Sequence, residues 1–172
     1  MLKKDYSFRA ASLTDKESIF KCINEAYKIE RDDPIIGFKK TDRFVDLTEI
    51  EAQFRVGHYL CCINLDSKKL VGVIFYKISV KEGYIGPLAV FPDQQKKGIA
   101  TSLIHSVESK MIQQGVKKIT MRVVSTRTDL FPYYEKRGYQ ITERTIDPKT
   151  IGLTKDKLTK KVTVFRLTKL IV

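Results

Sequence analysis

The chain has 172 residues, 42% of them hydrophobic and 30% charged, with 9 glycines and 5 prolines, and 32 basic against 20 acidic side chains give it a net charge of +12. That mixture excludes a disordered or collagen-like chain, and no apolar run approaches the roughly 20 residues needed to cross a bilayer. A single α/β domain over 1–172 is expected, soluble and cytoplasmic, because the opening Met1 to Tyr6 has no signal-peptide character. The charge is uneven, with 11 basic and 11 acidic side chains in 1–60 but 21 and 9 in 61–172. Such an excess draws polyanions, although pairs such as Lys68-Lys69, Lys117-Lys118 and Lys160-Lys161 are scattered and also read as solubilising surface.

In chain order, Tyr6 to Ala10 forms a short strand. Thr14-Asp15-Lys16-Glu17 has capping-box spacing, and Ile19, Ile23 and Ala26 follow at helical period, so a helix is predicted over about 14–28. Glu30 to Arg43, with Asp32-Asp33-Pro34 and Gly37, reads as a long loop, and Leu47 to Arg55 as a short helix. His58 to Asn64 and Leu70 to Ser79 are rich in β-branched and aromatic residues and flank Asp66-Ser67-Lys68-Lys69, the pattern of an antiparallel hairpin.

Tyr84 to Phe91 is a further strand, stopped by Pro92, and Gly98 to Ile112 carries Ile99, Leu103, Ile104, Val107 and Met111 on one helical face, ended by Gly115. Ile119 to Val124, a helix over Asp129 to Arg137, and strands over Tyr139 to Glu143 and Val162 to Leu170 complete the order. Cys22, Cys61 and Cys62 are odd in number and lie in apolar surroundings, which fits free buried thiols and gives no metal-ligand spacing.

The chemistry concentrates after the strand at 84–91. Gln95-Lys96-Lys97-Gly98-Ile99-Ala100-Thr101 is a turn into a helix, where free N–H groups and the positive end of the helix dipole favour an anion and two lysines add charge. Any strand-to-helix turn shares those donors, so this segment alone is a weak signal.

Together with the preceding Leu88-Ala89-Val90-Phe91-Pro92, the turn resembles the acyl-CoA-binding motif of the GNAT acetyltransferase family, Gln/Arg-x-x-Gly-x-Gly/Ala. Downstream, Phe131-Pro132-Tyr133-Tyr134-Glu135-Lys136-Arg137-Gly138-Tyr139 is similar to that family's second motif. The resemblance covers roughly Tyr6 to Glu143. It implies a GNAT fold: a mixed, mostly antiparallel twisted sheet of six to seven strands flanked by about four helices, splayed between the fourth and fifth strands. It also implies acetyl-CoA as cosubstrate, with no metal. Amides from Gln95 through Thr101 (Gln95, Lys96, Lys97, Gly98, Ile99, Ala100, Thr101) would hold the pyrophosphate, and the main chain of Leu88, Ala89 and Val90 would pair with the pantetheine arm. By the same analogy the Val90 N–H would polarise the thioester carbonyl and Tyr134 would protonate the departing thiolate, while Phe131 packs against cofactor or core.

A general base is harder to read. The strand position where some family members carry a carboxylate is Tyr84, which departs from that pattern; Glu82 lies on the same face, and Glu30, Asp32 and Asp33 in the long loop are alternatives, as is water. His58 and His105 form no pair, and Arg127 with Asp129 reads as a loop-fixing or capping group. The leading reading is acetyl transfer by direct attack of a primary amine in a ternary complex, the acceptor a small molecule and the protein a monomer or homodimer. A catalytically weak CoA-binding sensor or scaffold is the alternative. A basic nucleic-acid-binding domain is a third, against which stands the lack of zinc-finger spacing and of aromatics among the basic clusters. No membrane partner is expected.

Overall fold

The computed structural model describes residues 5–28, 46–151, 158 and 162–171. The expected loop at Glu30 to Arg43, with Glu30, Asp32 and Asp33, lies outside the described residues. Seven strands form one sheet: β1 (Tyr6–Ala10), β2 (His58–Asn64), β3 (Leu70–Ser79), β4 (Glu82–Val90), β5 (Lys118–Val124), β6 (Gln140–Ile146) and β7 (Val164–Leu170). Their spatial order is β1-β2-β3-β4-β5-β7-β6, and every described pair is antiparallel except β4 with β5. Among the described residues four α-helices accompany them: α1 (Lys16–Ala26), α2 (Leu47–Val56), α3 (Ile99–Gln113) and α4 (Leu130–Glu135). The order of elements is the one expected from periodicity, with ends shifted by a few residues.

One boundary differs in kind. The capping box expected at Thr14 and Glu17 sits two residues earlier: Ser12 is extended, and its N–H donates to the Asp15 carboxylate at 2.9 Å. A 3-10 turn over Leu13–Asp15 therefore precedes α1. Asp15 is preferred because it has a second partner, Arg9 of β1, whose guanidinium donates to both carboxylate oxygens at 2.7 and 2.8 Å.

The sheet has a core on each face. On one, Ile99, Leu103, Ile104, Val107 and Met111 of α3 pack against Ile74, Ile85, Ile119, Met121 and Leu167 of the strands, joined by Tyr134 and Tyr139 around α4. Each such apolar side chain contributes about 1.5–3 kcal/mol by burial. On the other, Ile19, Cys22 and Ile23 of α1 and Ile50 of α2 pack against Tyr59, Cys61, Val73, Phe75 and Ala89. The three cysteines are free and buried, and burial pushes all three thiols upward. Gly72 of β3 lets α3 approach closely, because a Cβ there would lie 2.9 Å from Ile99 Cγ2.

A buried polar contact locks the far side. Tyr139 donates to Glu108 Oε1 of α3 at 2.6 Å, and Lys169 Nζ of β7 to Glu108 Oε2 at 2.8 Å. Burial first, and this bond to a carboxylate second, push the Tyr139 phenol far above its ordinary range.

Tyr139→Phe should cost about 1–3 kcal/mol in chemical denaturation, since Glu108 is left buried with one oxygen unsatisfied. A second expectation concerns acid. The Arg9 hydrogen bonds hold the Asp15 carboxyl at about 2. A group whose pKa is depressed on folding stabilises above its unfolded value of about 3.9 and loses that contribution as pH falls through the folded value. Asp15→Asn should therefore flatten the fall in thermal midpoint between those two pH values.

Candidate functional site

β4 and β5 are paired only from Glu82 with Lys118 to Ile85 with Met121. Beyond that point β4 carries a bulge: Ile74 of β3 faces Leu88 and Tyr76 faces Ile85, so Gly86 and Pro87 together oppose Phe75 alone. The extra residue switches the alternation. Ile85 and then Leu88 and Val90 turn to the α3 face, while Tyr84 and Ala89 turn to the α1 face. The parting strands open a cleft of about 1820 Å³ that runs from α3 past β4 to Thr120 and Arg122 of β5 and Arg166 and Thr168 of β7.

The hydrogen-bond alternation of β4 fixes what its backbone offers that cleft. Phe91 N–H donates to Val71 O at 3.0 Å, so Phe91 and, two residues back, Ala89 form the bonded pairs with β3. Leu88 and Val90 therefore point their N–H and C=O groups away from β3, into the splay. Their carbonyls agree: Leu88 O accepts from the Tyr27 hydroxyl at 3.5 Å and Val90 O from Gln95 Nε2 at 3.1 Å. Ala89 spends its main chain on β3 and its side chain in the core, so of the three expected pairing residues two face the opening.

After Pro92–Gln94, a single 3-10 turn, the chain enters α3 through two left-handed residues, Lys96 at φ 61° and Gly98 at φ 85°. For a lysine that conformation costs on the order of 1 kcal/mol, a strain typical of functional loops. The first main-chain bond of the helix is Ser102 N–H to Gly98 O at 3.0 Å, and no described residue accepts the N–H groups of residues 96–101. Gln95 differs from the expectation: its own N–H goes to Pro92 O at 3.3 Å, and it serves the turn through its side chain. Lys96, Gly98, Ala100 and Thr101 line the cleft, Ile99 buries its side chain in the core, and Lys97 turns aside to donate to Gln94 Oε1 at 3.0 Å.

Tyr134 lies across the cleft from this turn, on α4. It is buried, its ring meets those of Tyr133 and Tyr139 edge-on at 5.2 and 6.2 Å, and its hydroxyl makes no hydrogen bond to a described residue. Burial pushes its phenol well above the ordinary value, with Tyr27 and Tyr133 adding to the rise. Phe131 stacks on Phe165 at 5.5 Å and does not line the cleft.

Two contributors escaped the sequence reading. Tyr27 follows Ile19 and Ile23 at four-residue steps, a signal that was present, and it closes the cleft beside Leu88 and Tyr134. Arg137 donates to Thr101 Oγ1 and to Tyr133 O, both at 2.5 Å, with its guanidinium 3.5 Å from the centre of the Tyr133 ring. It clamps α4 to the first turn of α3, and only the folded chain brings those segments together.

At the other end of the cleft the Tyr84 ring has Lys77 Nζ at 5.5 Å and the Arg122 guanidinium at 5.7 Å from its centre. Of the described carboxylates there, Glu82 pairs with Lys118 at 2.5 Å and Glu25 with Lys28 at 2.5 Å, while Arg127 holds Asp129 through two 3.0 Å bonds, the loop-fixing arrangement expected. His58 rests near the Tyr76 ring at 5.5 Å. Among the described residues no three His, Cys, Asp or Glu side chains are grouped to hold a metal, and no helix is long and apolar enough to cross a membrane.

Residues 20–159 match the family model described as an acetyltransferase (GNAT) domain. The chain belongs to the GNAT acetyltransferase family. It is similar to an acetyltransferase of Sodalis glossinidius, 34% identical over 71 residues covering 38% of this chain and 50% of that protein. It is also similar to an acetyltransferase of Pectobacterium atrosepticum, 36% identical over 80 residues covering 43% and 54%. The chain thus spans about half the length of these relatives. Among solved structures, the ribosomal-protein-S18-alanine N-acetyltransferase of Escherichia coli superposes with a TM-score of 0.74 at 12% identity, covering 96% of this chain and 94% of that one. The PaiA N-acetyltransferase of Thermoplasma acidophilum in complex with coenzyme A gives 0.74 at 16% identity, covering 96% and 99%. These structures share the fold of this chain.

Replacing Arg137 by Lys keeps the charge but loses the planar stack and the fork of donors. A loss of about 1–2 kcal/mol in urea denaturation is expected, from the cation–π contact and one hydrogen bond together.

Proposed function

We propose that this GNAT chain transfers the acetyl group of acetyl-CoA to a primary amine by direct attack, with a small molecule as acceptor. One observation carries the reading: amides that no described residue claims, at Lys96 and from Gly98 to Thr101, lie on the same cleft as Leu88, Val90 and Tyr134. The amides of residues 96–101 and the Lys96 ammonium suit a diphosphate, by hydrogen bonding and by the positive end of the α3 dipole. The outward groups of Leu88 and Val90 suit an extended amide-bearing arm, added as a strand where β5 has parted.

Acetyl-CoA supplies the activated thioester. The amine nitrogen bonds to its carbonyl carbon, the carbon–sulfur bond breaks, the nitrogen loses a proton to solvent, and the sulfur takes one from Tyr134, which is reprotonated from solvent. An N–H of Val90, with that of Leu88 as its neighbour on the same edge, meets the negative charge that develops on the carbonyl oxygen. Tyr134 suits the last step because its buried phenol keeps its proton at every physiological pH. Tyr84 occupies the strand position where a carboxylate base would stand, and Glu82 and Glu25 pair with lysines, which supports water as a carrier of the departing amine proton beside Glu30, Asp32 and Asp33 as alternatives.

Tyr134→Phe should lower kcat by about 10²-fold while coenzyme A affinity is retained. Gly98→Val should instead lower that affinity at least tenfold, because its left-handed backbone disfavours a β-branched residue. Free-thiol release and calorimetric titration with coenzyme A read the two effects. Full turnover in the Tyr134 variant removes that residue from its role, and tight coenzyme A binding without turnover on any amine favours a sensor.

A further inference from the structure

A proton donor to sulfur must keep its hydroxyl free, so its ring has to be placed by something other than that hydroxyl. Tyr134 meets the condition: its oxygen makes no hydrogen bond to a described residue, and its helix, α4, has only six residues. A helix that short has little stability of its own and takes its position from its neighbours. Tyr134 O accepts the N–H of Arg137 at 2.9 Å and that of Tyr139 at 3.2 Å, and both of those side chains reach back to α3. Arg137 takes Thr101 in the first turn, and Tyr139 takes Glu108, two turns further on, at 2.6 Å. Thr101 and Glu108 are seven residues apart and lie on one face of α3, with Ile104 between them buried in one core with Tyr134 and Tyr139.

The Glu108 anchor is itself fixed. One carboxylate oxygen takes the Tyr139 hydroxyl and the other takes Lys169 Nζ of β7 at 2.8 Å, an ammonium that also lies 5.6 Å from the centre of the Tyr139 ring. That ring is fully buried and meets the Tyr134 ring edge-on. Among the described residues Glu108 is the one buried acidic or basic side chain. Stability does not require such a group, because an apolar set of similar volume is often as stable as a buried ion pair. What an apolar set lacks is direction: a short hydrogen bond to a carboxylate held at both oxygens fixes the Tyr139 ring, and with it the ring that leans on it. None of Glu108, Tyr139 and Lys169 lines the cleft, so the arrangement reaches the site through Tyr134.

We propose that Glu108, acting through Tyr139, is a positioning residue for acetyl transfer: it sets the Tyr134 hydroxyl within reach of the departing sulfur. Lys169 holds the carboxylate in that role. This inference rests on the acetyl-transfer reading and adds to it a residue that touches neither cofactor nor acceptor.

The test is a double-mutant cycle on kcat, read by thiol release from saturating acetyl-CoA with n-butylamine, spermidine and Nα-acetyl-lysine as amines. Tyr139→Phe should lower kcat at least about tenfold, the scale of a misplaced reacting group, and leave coenzyme A affinity within about twofold. In a Tyr134→Phe background the same change should cost less than about twofold, because no hydroxyl is left to place. A merely structural role lowers kcat alike in both backgrounds, and that result overturns the proposal. Glu108→Gln keeps an acceptor for Tyr139 and should retain more activity than Glu108→Leu. Combining Glu108→Leu, Tyr139→Phe and Lys169→Met removes every buried polar group at once, so this variant should melt near the native midpoint yet keep the tenfold deficit. Native kcat in that variant also overturns the proposal. A second readout needs no turnover: in protein labelled with 3-fluorotyrosine, the fluorine resonance that Tyr134→Phe removes should move in Glu108→Leu, and an unmoved resonance overturns the proposal. A moved resonance in a chain that acetylates no amine leaves the positioning standing and sinks the transferase reading instead. Turnover that depends on Tyr134 but not on Tyr139 or Glu108 does the reverse.

Discussion

The early end of the pairing between β4 and β5 is the constraint on which the site depends. These strands form the one parallel pair of the described sheet, and they stay together for four residues, until Ile85 and Met121. Past that point the bulge at Gly86 and Pro87 turns Leu88 and Val90 to the α3 face while β5 diverges. Strand edges are normally paired, covered or blunted because unpaired main-chain groups are costly and adhesive. Here an edge lies open inside the molecule, flanked by two packed cores, which suits it to an extended ligand rather than to a second chain.

The rest of the site is arranged around that opening. Gly72 allows α3 to settle low on β3, and the helix entry with its left-handed Lys96 and Gly98 then stands beside the end of β4. Gln95 ties the turn back to Val90, so the amides of the turn and the amides of the strand are held as one unit. On the far side Arg137 stacks on Tyr133 and binds Thr101, fixing α4 against the same first turn of α3. Turn amides, strand edge and buried phenol are thereby positioned by contacts among β4, α3 and α4.

Most of the fold was legible. The hairpin of β2 and β3, the amphipathic face of α3 and the motif around Gln95 to Thr101 are local signals: period two, period 3.6, and glycines where the backbone must bend left. Tyr134 was legible through its motif but not through its helical position, which would equally suit a core aromatic. What was misread was local competition. Thr14 and Glu17 have capping-box spacing, yet Ser12 and Asp15 form the box, because Arg9 on a neighbouring strand adds two hydrogen bonds to the Asp15 carboxylate. Gln95 was grouped with the amide donors, but its N–H closes the preceding turn. Ala89 was placed with Leu88 and Val90 along the pantetheine edge, whereas strand alternation sends it to β3.

By itself the sequence determined the order of elements, the family and the turn that enters α3 through Gly98, since each is written in short-range spacing and in the conformational limits of glycine and proline. Only the tertiary structure decided that Tyr27 and Arg137 belong to the site and that Arg122 stands opposite Arg166. Register between strands more than 40 residues apart follows from bulges, from the two packed faces and from where β5 parts from β4. Those are outcomes of packing the whole chain at once, and no window of neighbouring residues contains them.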